Sequence, residues 1–303
     1  MTTGVLVMAH GTPSAPEGIE AFYTRIRRGS PPTPELLADL TRRYLAIGGV
    51  SPLTERTAAQ VVGVAAVLEV NAPGAFDVRY GSKFEPPLLE EAAESFRRDG
   101  ITKVVGIVLA PHSSSMSTEQ YLSRARAALG DDVDFVAIGA WYDAPGFIEL
   151  IAHRVNDALA TIPASRHETT EVVFSAHSLP ERVVAEGDTY AEQLKESAVL
   201  AAEVAGVRSF DVAWQSAGRT PDPWLGPDIL VALRDKRAQG VTDVVSCPIG
   251  FVSDHLEVLF DIDIEAQSVA RDLGLNLVRT ASLNDDPAFM RVLAGVIRTA
   301  AGA

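Results

Sequence analysis

Only one cysteine, Cys247, occurs in the 303 residues. That excludes an intrachain disulfide framework, a four-cysteine zinc site and an iron–sulfur cluster held by cysteines. No apolar run approaches the roughly 18 residues a membrane-spanning helix needs. The longest runs, at 61–70 and 104–110, are too short and well bounded. The first residues lack a basic segment and the apolar run at 5–9 is too short for a signal peptide, so a cytoplasmic location is expected. Positive charge is scarce as well: 26 Lys and Arg stand against 40 Asp and Glu, a net charge of −14. Such a surface repels nucleic acid and anionic lipid, and no basic stripe with interleaved aromatics offsets it. Nucleic acid is therefore not expected as a partner, although a small basic patch could still hold an anionic ligand. Several chemical signatures are missing too. No Gly-x-Gly-x-x-Gly follows the first apolar run, where Gly11-Thr12-Pro13 stands, and there is no P-loop, no Gly-x-Ser-x-Gly and no His-Glu-x-x-His. Nucleotide-binding and serine-hydrolase readings both lose ground.

What is present is a chain with 47% hydrophobic and 22% charged residues, which fits an ordinary folded protein and rules out disorder. Short β-branched runs alternate with helical patterns. Strands are expected near 5–9, 77–80, 104–109 and 135–138, then near 172–175, 211–214, 244–247 and 276–279. Amphipathic helices are expected at 34–45, 54–70, 87–98, 118–129, 147–159, 190–205, 254–272 and 287–300. Alternation of this kind predicts an α/β fold with parallel sheets of βαβ units. Two sets of four strands suggest a duplication: Met8-Ala9-His10-Gly11 is echoed by Ser175-Ala176-His177-Ser178, and the third strand of each set leads to a serine, Ser117 or Ser253, placed as a helix N-cap. The expected domains are 1–140 and 141–284, with the helix at 285–303 a candidate to pack back on the first. Parallel sheets bind ligands at the carboxyl ends of their strands, so the residues just after strands are the candidates for function.

Among these, His177 reads either as a structural histidine bonded to loop backbone or as a functional one. Asp254, Glu257, Asp261 and Glu265 recur at i, i+3, i+7 and i+11, which places them on one helical face. That stripe reads as a solvated acidic face, or as a site where a hard cation relieves the repulsion; the apolar residues around Glu257 argue for partial burial and for metal or proton-transfer work with His177. Arg25, Arg27 and Arg28 before Gly29 read as a basic helix end or as a clamp for an anionic substrate. Tyr44 through Leu53 is a helix stop with a Gly-Gly turn, whose Ser51 is a cap or a carboxylate contact. Residues 214–227, with Trp214 and Trp224, read as a Pro-braced loop or as a flat apolar wall.

Taken together, seven segments resemble the ferrochelatase family, most closely its short bacterial coproporphyrin form, nearly from end to end. They are Met8 to Pro13, Ile26 to Gly29, Tyr44 to Leu53, Leu109 to His112, Ser175 to Glu181, Gln215 to Pro227 and Gly250 to Glu257. The resemblance implies two Rossmann-like, chelatase-type domains, each a four-stranded parallel sheet flanked by helices, facing across a cleft. It implies a lyase that inserts substrate Fe²⁺ into a porphyrin for haem biosynthesis, coproporphyrin III being favoured by the compact length. By the same resemblance His177 and Glu257 are catalytic and meet the metal. Arg27, Arg28, Ser51 and Tyr121 meet substrate carboxylates, Tyr44 and Trp224 line the porphyrin, and Asp261 and Glu265 form an outer acidic site for a divalent cation. Relatives often carry Tyr where this chain has His10, a position axial to the metal, which makes His10 a candidate ligand of the product iron. Lys83-Phe84 stands where some relatives have Lys-His. No cofactor is bound permanently and no [2Fe–2S] cluster is expected. A monomer is expected, with transient pathway partners that deliver porphyrin or accept haem. The competing readings are a protoporphyrin IX ferrochelatase, a cobalt chelatase acting on a more reduced tetrapyrrole, and a haem-binding carrier without turnover.

Overall fold

A computed structural model describes residues 2–303. The first half runs β1 (Thr3–Ala9), α1 (Ile19–Ile26), α2 (Pro34–Ala46), α3 (Leu53–Asn71), β2 (Phe76–Ser82), α4 (Leu89–Arg98), β3 (Lys103–Val108), α5 (Thr118–Leu129) and β4 (Asp134–Ile138). The second runs α6 (Pro145–Leu159), β5 (Thr170–His177), α7 (Glu181–Ala185), α8 (Tyr190–Ala205), β6 (Phe210–Gln215), α9 (Ile229–Ala238), β7 (Asp243–Cys247), α10 (Leu256–Leu259), a π-helical turn (Asp261–Ala266), α11 (Gln267–Leu273), β8 (Asn276–Arg279) and α12 (Pro287–Ala301). The strands form two four-stranded sheets, ordered β2-β1-β3-β4 and β6-β5-β7-β8, with every pairing parallel. The two orders are the same when each set is numbered from its own first strand, so β5 repeats the position of β1. No described helix is long and apolar enough to cross a membrane.

Burial explains why the central strands are apolar throughout. In β1, Val5 and Val7 face a core with Val64 and Leu68 of α3, while Leu6 and Met8 face a second core with Leu89 and Phe96 of α4. Strand β5 does the same: Val172, Phe174 and Ala176 enter one core, and Val173 enters another with Ile229 and Leu233 of α9. The core under β1 and β5 is continuous, because α6, α8 and α12 contribute Phe147, Leu194 and Phe289 to it. Each such large side chain contributes about 1.5–3 kcal/mol when buried. Helix α12 packs against α3, β3 and β4, and Lys103 Nζ donates to the carbonyl of Ala301 at 2.8 Å.

Three local expectations are corrected. The pattern at 254–272 is not one α-helix. It starts at Leu256 after His255, whose backbone is extended at φ −159°, and it widens into the π turn before α11. Ser253 is no cap; its hydroxyl accepts from Gln60 Nε2 at 2.9 Å and ties α3 to this loop. Ser117 does precede α5, but its side chain makes no capping bond.

Candidate active site

The carboxyl ends of β1 and β5 carry the two histidines that open the site. His177 is the last residue of β5 and pairs in register with Gln215 of β6. Its Nδ1 lies 2.5 Å from the Ser178 carbonyl oxygen. A carbonyl only accepts, so Nδ1 carries the proton and Nε2 is turned away from the backbone. There Nε2 lies 3.6 Å from Glu257 Oε1. The other carboxylate oxygen, Oε2, lies 3.5 Å from His255 Nε2, and His255 Nδ1 is likewise turned to a backbone carbonyl, that of Ser253, at 2.9 Å. His10 repeats the device: its Nδ1 lies 3.0 Å from the Gly11 carbonyl oxygen, which leaves Nε2 with its lone pair. Three imidazoles thus hold their Nδ1–H against backbone.

The loop that leads into α10 brings Glu257 to this place because it lies directly on β5. The Gly250 N–H donates to the Ser175 carbonyl at 3.1 Å, and a Cβ on Gly250 would stand 2.4 Å from that of Ala176. Only glycine allows that approach. Asp254, drawn on the acidic face from the sequence, holds the loop instead. Its carboxylate accepts from Asn284 Nδ2 and Ser282 Oγ at 2.8 and 2.7 Å, and its N–H donates to Asn284 Oδ1. From the other side, Leu256 and Phe260 pack against Ile19 and Tyr44, so α1 and α2 close over the start of α10.

Charge fixes the protonation states. Burial works to raise the Glu257 pKa, but the charge of His177 and then the contact with His255 outweigh it and bring the carboxyl down to about 2. Glu257 is therefore a carboxylate at neutral pH. Burial works to lower the His255 pKa, but its contact with Glu257 raises it on balance. At His10 burial of the ring nitrogens dominates and lowers the pKa, which favours the neutral ring. That ring stands against Phe84 at 4.8 Å and Phe22 at 5.8 Å between centroids, an aromatic niche on the side of the first sheet.

Other candidates fall in different places. Arg27 and Arg28 are exposed at the end of α1, with Arg28 at φ 55°. Trp224 is half-buried in its loop, its Nε1 donating to Thr220 Oγ1 at 3.0 Å. Tyr44, Ser51 and Tyr121 are buried, at 3%, 6% and 5% exposure, which leaves little of them open to a substrate in this conformation. The Tyr44 hydroxyl pairs with Thr12 Oγ1 at 2.9 Å, and burial pushes its pKa up to about 12. Ser51 Oγ accepts from the Leu53 N–H at 3.3 Å. The Tyr121 ring lies under the Lys83 ammonium, 4.8 Å from its centroid, and burial together with Arg124 and Arg28 lowers the Lys83 pKa to about 8.

Of the outer acidic pair, Asp261 already has partners. Asp261 is ion-paired with Arg43 and accepts a hydrogen bond from Ser216. Burial raises its pKa to about 6 in spite of Arg43, and Glu257 and Glu265 add to the rise. Asp261, Glu265, Arg43 and Ser216, together with Arg42 and Arg219, line a pocket of about 180 Å³ beside the π turn. Among the described residues no group of three or more His, Cys, Asp or Glu stands close enough to hold a metal ion.

Sequence reasoning missed His255, Tyr190 and Gln215. His255 stands inside the segment from Gly250 to Glu257, but a helical wheel puts it away from Glu257. It reaches the carboxylate because it precedes the helix in extended backbone. Tyr190, buried at the start of α8, donates its hydroxyl to the His177 carbonyl at 3.1 Å.

The sequence model of the ferrochelatase family matches residues 2–301. The chain is 42% identical to a ferrochelatase of Herpetosiphon aurantiacus, over 97% of this chain and 98% of that one. It is 44% identical to a coproporphyrin III ferrochelatase of Bacillus subtilis, over 97% and 96%. Among solved structures it is similar in fold to the SirB protein of Bacillus subtilis with Fe³⁺, with TM-score 0.62 and 14% identity over 99% of this chain and 96% of that one.

Proposed function

We propose that this chain, which belongs to the ferrochelatase family, inserts Fe²⁺ into coproporphyrin III to form the iron porphyrin. The observation that carries the reading is the Glu257 carboxylate held between His177 and His255, in a chain that matches coproporphyrin III ferrochelatases over nearly its whole length. Metal insertion exchanges one Fe²⁺ for the two N–H protons of the macrocycle. His177 takes the two protons in turn on Nε2, the atom its backbone bond leaves available, releasing the first before it accepts the second. Glu257, ionised at neutral pH, neutralises the imidazolium that forms and gives the arriving cation an oxygen ligand as water leaves it. His255 has the same access to Glu257 and passes protons outward. His10, whose Nε2 keeps its lone pair, would hold the product iron as a nitrogen ligand.

Arg27 and Arg28 meet carboxylates of the substrate at the open edge of the cleft. Trp224 supplies part of an apolar wall. Tyr44, Ser51 and Tyr121 act from behind, through Thr12, the α3 start and Lys83. The reading needs no resident cofactor, and no step passes through the Asp261 and Glu265 pair. It has the protein act as a cytoplasmic monomer that exchanges porphyrin and haem with transient partners.

The test offers the protein Fe²⁺ without oxygen, with coproporphyrin III or with protoporphyrin IX. Fast loss of the metal-free coproporphyrin spectrum and little change with protoporphyrin support the reading. Preference for protoporphyrin IX moves the enzyme to the other substrate. Turnover only with Co²⁺ and a more reduced tetrapyrrole, or tight haem binding with no turnover, overturns it.

A further inference from the structure

We infer that Gln215 is the positioning residue that fixes the separation between His177 and Glu257, an inference that rests on the iron-insertion reading above. Gln215 is fully buried at the end of β6, next to β5. Its carbonyl oxygen, Oε1 and Nε2 are each engaged with one of the two elements that carry the reacting side chains. Its main-chain carbonyl accepts from the Ser178 N–H at 2.7 Å, directly after His177. Its side-chain Oε1 accepts from Ser175 Oγ at 2.9 Å, two residues before His177. Its Nε2 donates to the main-chain carbonyl of Glu257 at 2.8 Å. One residue therefore joins the β5 end to the first turn of α10, and it grips Glu257 at the backbone rather than at the carboxylate.

The orientation of the amide is determined. With Ser175 donating to Oε1, Nε2 must point toward Glu257, and a flipped amide would set two oxygens against each other. A glutamate here would do the same, so the chemistry calls for glutamine. Its neighbour Ser216, at φ 60°, donates to Asp261 one turn beyond Glu257, which pins the same helix a second time. The π turn begins at Asp261, so without these two ties the start of the helix has less to hold its rotation. A shift of about 1 Å at a reacting group costs on the order of 10²-fold in rate, and Gln215 controls a coordinate of that kind.

The experiment compares Gln215→Met, which keeps the length and loses the side-chain hydrogen bonds, with Ser175→Ala, which leaves Oε1 without its donor and frees the amide from β5. Ser197→Ala is the control, since Ser197 is equally buried and bonds His112, away from both carriers. Each is assayed for melting temperature and for kcat and KM with coproporphyrin III and Fe²⁺. We expect kcat to fall about 10- to 100-fold in Gln215→Met and about 3- to 10-fold in Ser175→Ala, with KM for porphyrin within about threefold and Ser197→Ala near wild type in kcat. If Gln215→Met fails to fold, Ser175→Ala decides. Folded variants with wild-type kcat, or a loss that Ser197→Ala reproduces at equal melting temperature, overturn the inference alone. A wild-type protein with no iron insertion overturns the functional reading and removes the catalytic role of Gln215 with it.

Discussion

His177 Nε2 lies 3.6 Å from Glu257 Oε1, and that carboxylate has its other oxygen 3.5 Å from a second imidazole, His255. One negative charge is shared between two rings whose remaining nitrogens are held by backbone carbonyls. Residues that act as a unit are not additive. His177→Ala is expected to lower kcat by about 10²- to 10⁴-fold, the range of lost general-base catalysis. Glu257→Ala alone is expected to fall in the same range, and the double variant little below the worse single one. Steady-state kinetics on the three variants checks this; a double variant at the product of the single losses would show independent action.

The low pKa of Glu257 makes a pH prediction. Its folded value of about 2 lies below the ordinary 4.5. A depressed carboxyl contributes stability above its unfolded pKa and loses it as pH falls through the folded one. Wild type should therefore lose stability between about pH 4.5 and pH 2 in part through this group, and Glu257→Gln should flatten that decline. Denaturant unfolding at several pH values measures it.

Asp261 works in the opposite sense. Burial raises its pKa from 3.8 to about 6, so the folded state binds the proton more tightly and stability falls as pH rises from about 4 to 6. Two units are on the order of 2–3 kcal/mol. Asp261→Asn should remove that fall, leaving a flatter profile through the same window, as read by unfolding at pH 4 and pH 7.

Much of this was legible in the sequence, and the reasons are specific. The central strand β1 is apolar on both faces, because Val5 and Leu6 enter different cores, so its run is unbroken and easy to see. His10 and His177 stand at strand ends, where a parallel sheet exposes its chemistry. Glu257 was marked by the acidic stripe. What was not legible depends on distance along the chain or on departures from helical periodicity. Gln215 and Tyr190 act through main-chain carbonyls, for which residue type carries no signal. The π turn at Asp261–Ala266 changes the period that a 3.6-residue pattern assumes, and Asp254 lies before the helix rather than on it. Arg43 pairs with Asp261 across 218 positions, which no local pattern reveals.

Asp188 supports a prediction about the joint between the halves. Its carboxylate accepts from the Ser115 N–H and Oγ at 2.7 Å and from Ser114 Oγ at 3.1 Å, tying the loop after β3 to the start of α8. It also accepts from the N–H of Tyr190, whose hydroxyl holds the His177 carbonyl. Asp188→Ala removes the acceptor of these donors, of which those of Ser115 are exposed to water, and is expected to cost about 1 kcal/mol. Thermal unfolding of the variant measures it, and an unchanged melting temperature would mean the joint is held elsewhere.

His10 leaves a spectroscopic signature. With Nδ1 on the Gly11 carbonyl, Nε2 is available to iron, so the product complex should show the absorption of a histidine-ligated haem. His10→Ala should shift that spectrum and speed product release. An unchanged spectrum would remove His10 from the iron.

The most direct test of the central claim is anaerobic Fe²⁺ insertion into coproporphyrin III by wild type and by the His177→Ala/Glu257→Ala double variant, with porphyrin binding measured on both by fluorescence quenching. The account predicts rapid turnover by wild type, turnover near the uncatalysed rate for the double variant, and porphyrin affinity within about tenfold between them, since the pair acts on the reacting centre more than on ground-state binding. Equal turnover by the two proteins would contradict it.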